Sequence, residues 1–246
     1  MKTVHLVLQG KGGVGKSLVS SILCQYMLQH SKVLAIDTDP VNHTLAGYKK
    51  LGATILEIRQ RDSIDPRAFD QLMEMVGDEQ MDENHQIIID NGASTFMPLC
   101  AWMIENQTLD MWRDEYGLQV LLHCVVTGGQ AMKDTIGGLH SLTNYFSAPV
   151  VVWLNNFFGE ISNKSMGQNS FKDFDIYQQN RSKIEALIDI PLKTAQTFGR
   201  DLEELFARKQ TFAEAAEDSS LPIMTRHRLK LWWREVCAEI DKARLV

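Results

Sequence analysis

No run of apolar residues in this chain approaches the roughly 18–20 that a membrane-spanning helix needs. The opening MKTVHLVLQG is too short and too soon interrupted for a secretory leader core, and reads better as a strand. Cysteine is sparse: Cys24, Cys100, Cys124 and Cys237 are scattered without metal-ligand spacing, so they are expected to be reduced thiols in a cytosolic core. A basic surplus is missing as well. Lys and Arg number 25 against 31 Asp and Glu, a net charge of −6, which argues against a dedicated nucleic-acid binder while allowing a local basic patch. Neither an internal repeat nor a low-complexity segment interrupts the sequence.

What is present is ordinary globular composition, 44% apolar and 23% charged over 246 residues. That length suits one large domain with a sizeable core, and no stretch invites a domain cut. Short apolar runs alternate with helix-period segments. TVHLVLQ (3–9), KVLAID (32–37), HQIIID (85–90), LQVLLHCVVT (118–127) and APVVVWLN (148–155) read as strands, and ATILEI (53–58) as a candidate. The last two of the main runs are apolar at nearly every position, as strands buried on both faces are. Helices are expected over 16–30, with Val19, Ile22, Leu23, Tyr26 and Met27 on the buried face, and over 65–76, 130–145, 200–208 and 222–245. Stretches 159–173 and 214–221 read as surface loops. The alternation predicts an α/β fold, a doubly wound, mostly parallel sheet flanked by helices, as a single domain over 1–246.

Four stretches carry chemistry. Gly10 to Ser17 spells G-x-x-x-x-G-K-S between a strand and a helix, the context of a phosphate-binding loop. Its backbone N–H groups and the helix N-terminus hold phosphates. Gly12, Gly13, Val14, Gly15, Lys16, Ser17 and Leu18 form the binding stretch, with Lys16 reaching the β- and γ-phosphates and Ser17 holding Mg²⁺. In AIDTDPVNHT (35–44), Asp37 and Asp39 stand at a strand's C-terminal end, where α/β sheets bind ligands; D-x-D-P is also a good turn sequence. In IIIDNGAST (87–95), Asp90 ends an apolar strand as a Walker B aspartate does, and Gly92 is a candidate hinge. In VVVWLNN (150–156), Asn155 ends a buried strand with an amide suited to the edge of a base.

These pieces together resemble the deviant Walker A ATPases of the MinD/ParA group, whose loop has the form K-G-G-x-G-K-[ST], here KGGVGKS. The likeness spans about residues 1–191, with DTDP, IIID and Asn155 at the matching strand ends. Over the whole chain, VLQGKGGVGKS, IDTDPVN, IDNGAS, VVTGGQA, VVWLN, FGRDLEELF and IMTRHRLK are similar to TraL-type conjugal transfer proteins of plasmids. The resemblance implies ATP and Mg²⁺ as ligands, Lys11 as a signature lysine that crosses a homodimer formed on ATP binding, and Asp39 as the residue that positions the hydrolytic water. It also implies Asp37 in support of Mg²⁺ and Pro191, in DIPLK, against the adenine. Conjugation or plasmid-maintenance proteins would be the partners. DNGAS replaces the proline-rich tail of the partition proteins, and DTDPVN lacks their glutamine–glycine pair.

The leading expectation is therefore a weak, cytoplasmic P-loop ATPase acting as a dimerising switch. One alternative is a ParA-like partition protein with ATP-dependent, non-specific DNA binding, which the net charge does not favour. Another is a membrane-associated positioning protein at the inner membrane. A third, a metabolic ligase or kinase on the same fold, has no need of Lys11. The tail TRHRLKLWWREVCAEIDKARL (225–245) bears on this choice. It pairs Arg226, Arg228, Lys230 and Arg234 with an apolar stripe of Leu229, Trp232, Trp233, Val236 and Ile240. Such a helix packs on its own domain, lies on anionic lipid, or meets protein or DNA.

Overall fold

Strand β1 (Thr3–Val7) is buried at every position and forms the centre of a sheet. In the computed structural model, which describes residues 2–61, 63–78 and 84–245, the chain runs onward as follows. Helix α1 (Lys16–Met27) leads to β2 (Lys32–Asp37), the two-residue β3 (Thr54–Ile55) and a small hairpin of β4 (Arg59–Gln60) and β5 (Ser63–Ile64). Next come α2 (Asp70–Val76), β6 (His85–Asp90), α3 (Phe96–Glu105), α4 (Thr108–Asp114) and β7 (Gln119–Thr127). The remainder is α5 (Met132–Tyr145), β8 (Val150–Asn155), α6 (Asp175–Asn180), β9 (Ile184–Asp189), α7 (Arg200–Ala207), α8 (Phe212–Glu217) and α9 (Ile223–Ala243).

The main sheet has seven strands in the order β3-β2-β6-β1-β7-β8-β9, every pairing parallel. Side chains alternate between two cores. Val4, Leu6, Ile87, Ile89, Leu122, Cys124, Val150 and Val152 face the layer built from α2 to α6. Val7, Ile88, Leu121, Val125, Val151 and Trp153 face α1 and α7 to α9. Helices on both faces make the sheet doubly wound, and β1 sits where the chain leaves one half of it for the other. The crevice beyond the carboxyl ends of the strands at that switch point is where such sheets bind ligands.

The five main strand expectations hold to within two residues at each end, and all five positions expected on the buried face of α1 are buried. Three expectations need correction. The run 53–58 yields only the two residues of β3, at the edge of the sheet, where nothing among the described residues pairs with its outer side. The first turn of the 65–76 helix is 3₁₀ (Pro66–Phe69), with Asp65 accepting from the Arg67 N–H. The supposed loop at 214–221 begins inside α8. There Thr211 and Glu214 form a capping box, a T-x-x-E signal readable in TFAE. No described helix is long and apolar enough to cross a membrane.

Helix α9 packs on the domain. Leu229, Trp232, Val236 and Ile240 are buried in the second core, and Phe212 stacks between Trp232 and Trp233 at centroid distances of 5.3 and 4.8 Å. The apolar stripe of the tail is thereby used internally.

Candidate functional site

The loop after β1 brings the glycine-rich stretch onto the N-terminus of α1. Gly15 sits at φ +107, a left-handed conformation that an L side chain rarely adopts, and a Cβ there would lie 3.0 Å from the Asn155 amide nitrogen. No side chain caps α1, so its first N–H groups are left for an anion. Lys16 is buried, and its Nζ donates to the Lys11 carbonyl at 3.0 Å. Burial lowers the Lys16 ammonium from the ordinary lysine range, while Asp90 and Asp39 hold it up.

Asp90, fully buried at the end of β6, accepts from Ser20 at 2.8 Å through Oδ1. Its Oδ2 is buried and has no partner among the described residues. Desolvation pushes this carboxyl up to about 7, against the nearby hydroxyls of Ser17 and Ser20, which favour the charged form. Asp37, at the end of β2, accepts from the backbone N–H of Asp39 through one oxygen and that of Ala46 through the other, both at 3.0 Å. It therefore fixes the 38–46 loop from within. Asp39 accepts from the N–H groups of Val41 and Asn42 and from the Asn42 amide. A Cβ on Gly92 would come within 2.8 Å of Asp39 Cγ, so the loops after β2 and β6 touch only because that residue is glycine.

Two cavities flank the loop. One, about 500 Å³, is lined by Gly12, Lys16, Ser17, Asp39, Asn42 and Ser94 among others. The second, about 490 Å³ and mostly apolar, lies between Leu18, Asn155, Phe158, Pro191, Phe206 and Trp232. They share Gly13, Gly15 and Leu18, so together they form one trough, with a polar end that suits phosphates and an apolar end that suits a base. Asn155 is at that junction, but its amide already donates to the Val14 carbonyl at 3.0 Å and accepts from the Phe157 N–H at 3.1 Å. It braces the loop as well as lining the base end. Pro191 lines the base end too, its carbonyl held by the Trp232 indole N–H at 2.8 Å.

Lys11 stands apart from Lys16. It is exposed at the mouth of the loop, with its ammonium 2.9 Å from Asp134 in the first turn of α5. Sequence reasoning missed Asp134, and also Ser20, Thr38, Asn91 and Thr95, which stitch the strand ends together. Thr38 Oγ1 donates to the Asp90 carbonyl at 3.0 Å, and Thr95 Oγ1 to Asn91 Oδ1 at 2.5 Å. Ser20 alone carried a signal, lying three residues after Ser17 on the same helix face. The donor set suits a hard divalent cation: a hydroxyl at Ser17 and a carboxylate at Asp90 whose second oxygen is buried and unpartnered, beside the phosphate end.

Known proteins share this chain's sequence family and its fold. Residues 6–203 match the family model described as the CobQ/CobB/MinD/ParA nucleotide binding domain. Two Escherichia coli proteins named Protein TraL are 43% and 41% identical to the chain, each alignment covering 99% of both sequences. Among solved structures, the Aquifex aeolicus MinD cell division protein matches with a TM-score of 0.51 at 18% identity, over 96% of this chain and 97% of that one. A ParA family ATPase from Chlorobium tepidum TLS matches with a TM-score of 0.51 at 17% identity, over 95% and 98%. At those identities the solved structures speak for the fold, while the family model and the full-length relatives speak for kinship. Two TraL proteins are relatives over its full length, and this chain belongs to the CobQ/CobB/MinD/ParA nucleotide-binding family.

Proposed function

We propose that this protein is an ATP-binding, slowly hydrolysing switch that dimerises on ATP and acts in plasmid conjugative transfer or maintenance. The observation that carries the reading is the division of labour between two lysines of one loop: Lys16 is buried at the phosphate end, and Lys11 is exposed at its mouth. The buried lysine serves its own nucleotide. The exposed one is placed to reach across to a second subunit's phosphates, where its charge offsets the charge that develops on phosphoryl transfer. The full-length likeness to TraL proteins supports the conjugative setting.

In this reading Gly12 to Leu18 cradle the phosphates, and Ser17 and Asp90 hold Mg²⁺ with Asp37 behind them. A cation held there would supply positive charge that offsets the charge of the phosphates. Asp39, tethered to Asn42 at the rim of the phosphate end, orients the attacking water. Pro191 and Asn155 place the adenine in the apolar end of the trough. The apolar stripe of α9 is occupied inside the domain, which supports a cytoplasmic protein over one anchored to lipid through that stripe.

The test is Lys11→Ala, assayed for ATP turnover and, by light scattering, for ATP-dependent dimerisation. Both should fall while monomeric ATP binding survives. Turnover and dimerisation at unchanged levels would sink the switch.

A further inference from the structure

Helix α7 ends in a Schellman turn. The Lys209 N–H bonds to the Phe206 carbonyl and the Gln210 N–H to the Leu205 carbonyl, each at 3.2 Å. The residue after the cap in such a turn adopts the left-handed conformation and is usually glycine. Here it is Lys209, at φ +52. A side chain is thus kept at a position where the backbone disfavours one, which asks what that side chain does.

Its stem lies along Gly47, where a Cβ would meet Lys209 Cγ at 3.2 Å. Its ammonium lies 5.6 Å from the ring centroid of the buried Tyr48. Gly47 and Tyr48 directly follow Ala46, whose N–H holds Asp37 Oδ2. The ammonium is partly desolvated, and the two acids whose charge acts on it are Asp37 and Asp90, the pair at the cation end of the trough. Lys209 comes from the C-terminal part of the chain, and it does not line the phosphate cavity.

The geometry points to Lys209 as a built-in countercharge of the Asp37–Asp90 pair, a positioning residue that sets how much Mg²⁺ the nucleotide site requires. This rests on the nucleotide reading above. A fixed positive charge whose field reaches the two carboxylates offsets part of their repulsion. It also opposes a divalent cation arriving at them. Taking the charge away while keeping an aliphatic stem against Gly47 leaves more negative field for the cation.

The test is binding of a fluorescent ATP analogue titrated with Mg²⁺, for wild type, Lys209→Met, Lys209→Gln and Lys209→Arg, with folding checked by circular dichroism. Both neutral variants should reach half-saturation at an Mg²⁺ concentration ~3–10-fold lower than wild type. Lys209→Arg, which keeps the charge, should stay within about twofold of wild type, since the Coulomb term is retained. Affinity for the analogue in EDTA should be unmoved in all three. A half-saturation point that is unchanged or higher in a folded neutral variant overturns the inference and leaves the nucleotide site standing. Failure of the wild type to bind the analogue with Mg²⁺ removes the nucleotide reading, and this inference with it.

Discussion

The Lys11 ammonium lies 2.9 Å from the Asp134 carboxylate of the same chain, with both side chains about half exposed. A pair this exposed contributes about 0–1 kcal/mol, so it can orient Lys11 without locking it. Asp134→Ala should leave the thermal midpoint within about 2–4 °C of wild type, the shift expected for 1 kcal/mol or less in a chain of this size. The proposed ATP-dependent dimer should form at least as readily, since the lysine no longer has a partner to leave. Light scattering against ATP concentration checks this. A midpoint lowered by more than that would mean the pair is structural.

Lys16 is the opposite case, an ammonium buried where desolvation lowers it from its ordinary range. Removing a buried charge relieves a desolvation cost, while the bond to the Lys11 carbonyl contributes only about 0.5–3 kcal/mol. Lys16→Met should therefore melt no lower than wild type without nucleotide, yet lose ATP affinity by two orders of magnitude or more. Calorimetric titration and a melting curve separate the two effects. A variant that still bound ATP tightly would place the phosphates elsewhere.

Much of this was legible beforehand, for a physical reason. Strands buried on both faces must be apolar at nearly every position, so HQIIID and VVVWLN announced themselves, and a phosphate loop needs its glycines and lysine close together in sequence. What stayed hidden depends on pairing at a distance. The stretch that forms α3 is apolar almost all round and carries Pro98, and α4 is only seven residues long, so neither shows a clear period. Strand β9 is half exposed and lacks a continuous apolar run. Lys209 reaches Gly47 and Tyr48 from across the fold, and no local pattern marks it as their neighbour.

Asp90 gives the site a pH dependence. Its carboxyl, pushed up to about 7, is close to half protonated at neutral pH without nucleotide. A divalent cation requires the carboxylate, so Mg²⁺-dependent ATP binding should weaken as pH falls from 8 to 6. Below 7 the loss should approach tenfold per unit. Asp90→Asn should flatten that profile as well as weaken binding. A wild-type profile flat over this range would show that Asp90 takes no part in holding the cation.

A polar chain crosses the middle of the sheet. The Trp153 indole donates to His123 Nδ1 at 2.9 Å, His123 Nε2 meets His5 Nδ1 at 2.9 Å, and His5 Nε2 meets Gln86 Oε1 at 2.9 Å. Because Trp153 can only donate, the whole sequence of donors is fixed: both histidines are neutral and carry their proton on Nε2. Burial holds His5 down to about 4 and His123 well below its ordinary value. The unfolded chain takes up protons at both histidines below about 6.5, where the folded chain does not, so acid costs stability between about 6.5 and 4. Asp90 opposes this, since the folded state already holds its proton throughout that window. Two protons against one leave a net slope of about 1.4 kcal/mol per pH unit from these three groups, and Asp90→Asn should roughly double it. Urea unfolding at pH 6.5, 5.5 and 4.5 measures the slope, and nitrogen chemical shifts of the imidazoles report the tautomers. A histidine of this pair titrating near 6.5, or protonated on Nδ1, would break the chain as drawn.

Trp232 joins the tail to the apolar end of the trough. It is almost fully buried, stacks on Phe212, bonds the Pro191 carbonyl and lines the base end of the trough. Trp232→Ala should cost about 3–5 kcal/mol, the range for emptying an aromatic site in a packed core. It should also weaken ATP binding, because the wall behind Pro191 is lost. Trp232→Phe refills most of the volume without the indole donor. It should recover most of the stability and less of the affinity, since the Pro191 carbonyl is left unpaired. Deleting α9 would then unfold the second core, so a lipid test belongs on the full chain. Vesicles of anionic lipid should not retain it by sedimentation, because Leu229, Trp232, Val236 and Ile240 are committed to Phe212 and the sheet. Retention that survived high salt would mean that α9 can leave its place, and that the stripe serves a membrane after all.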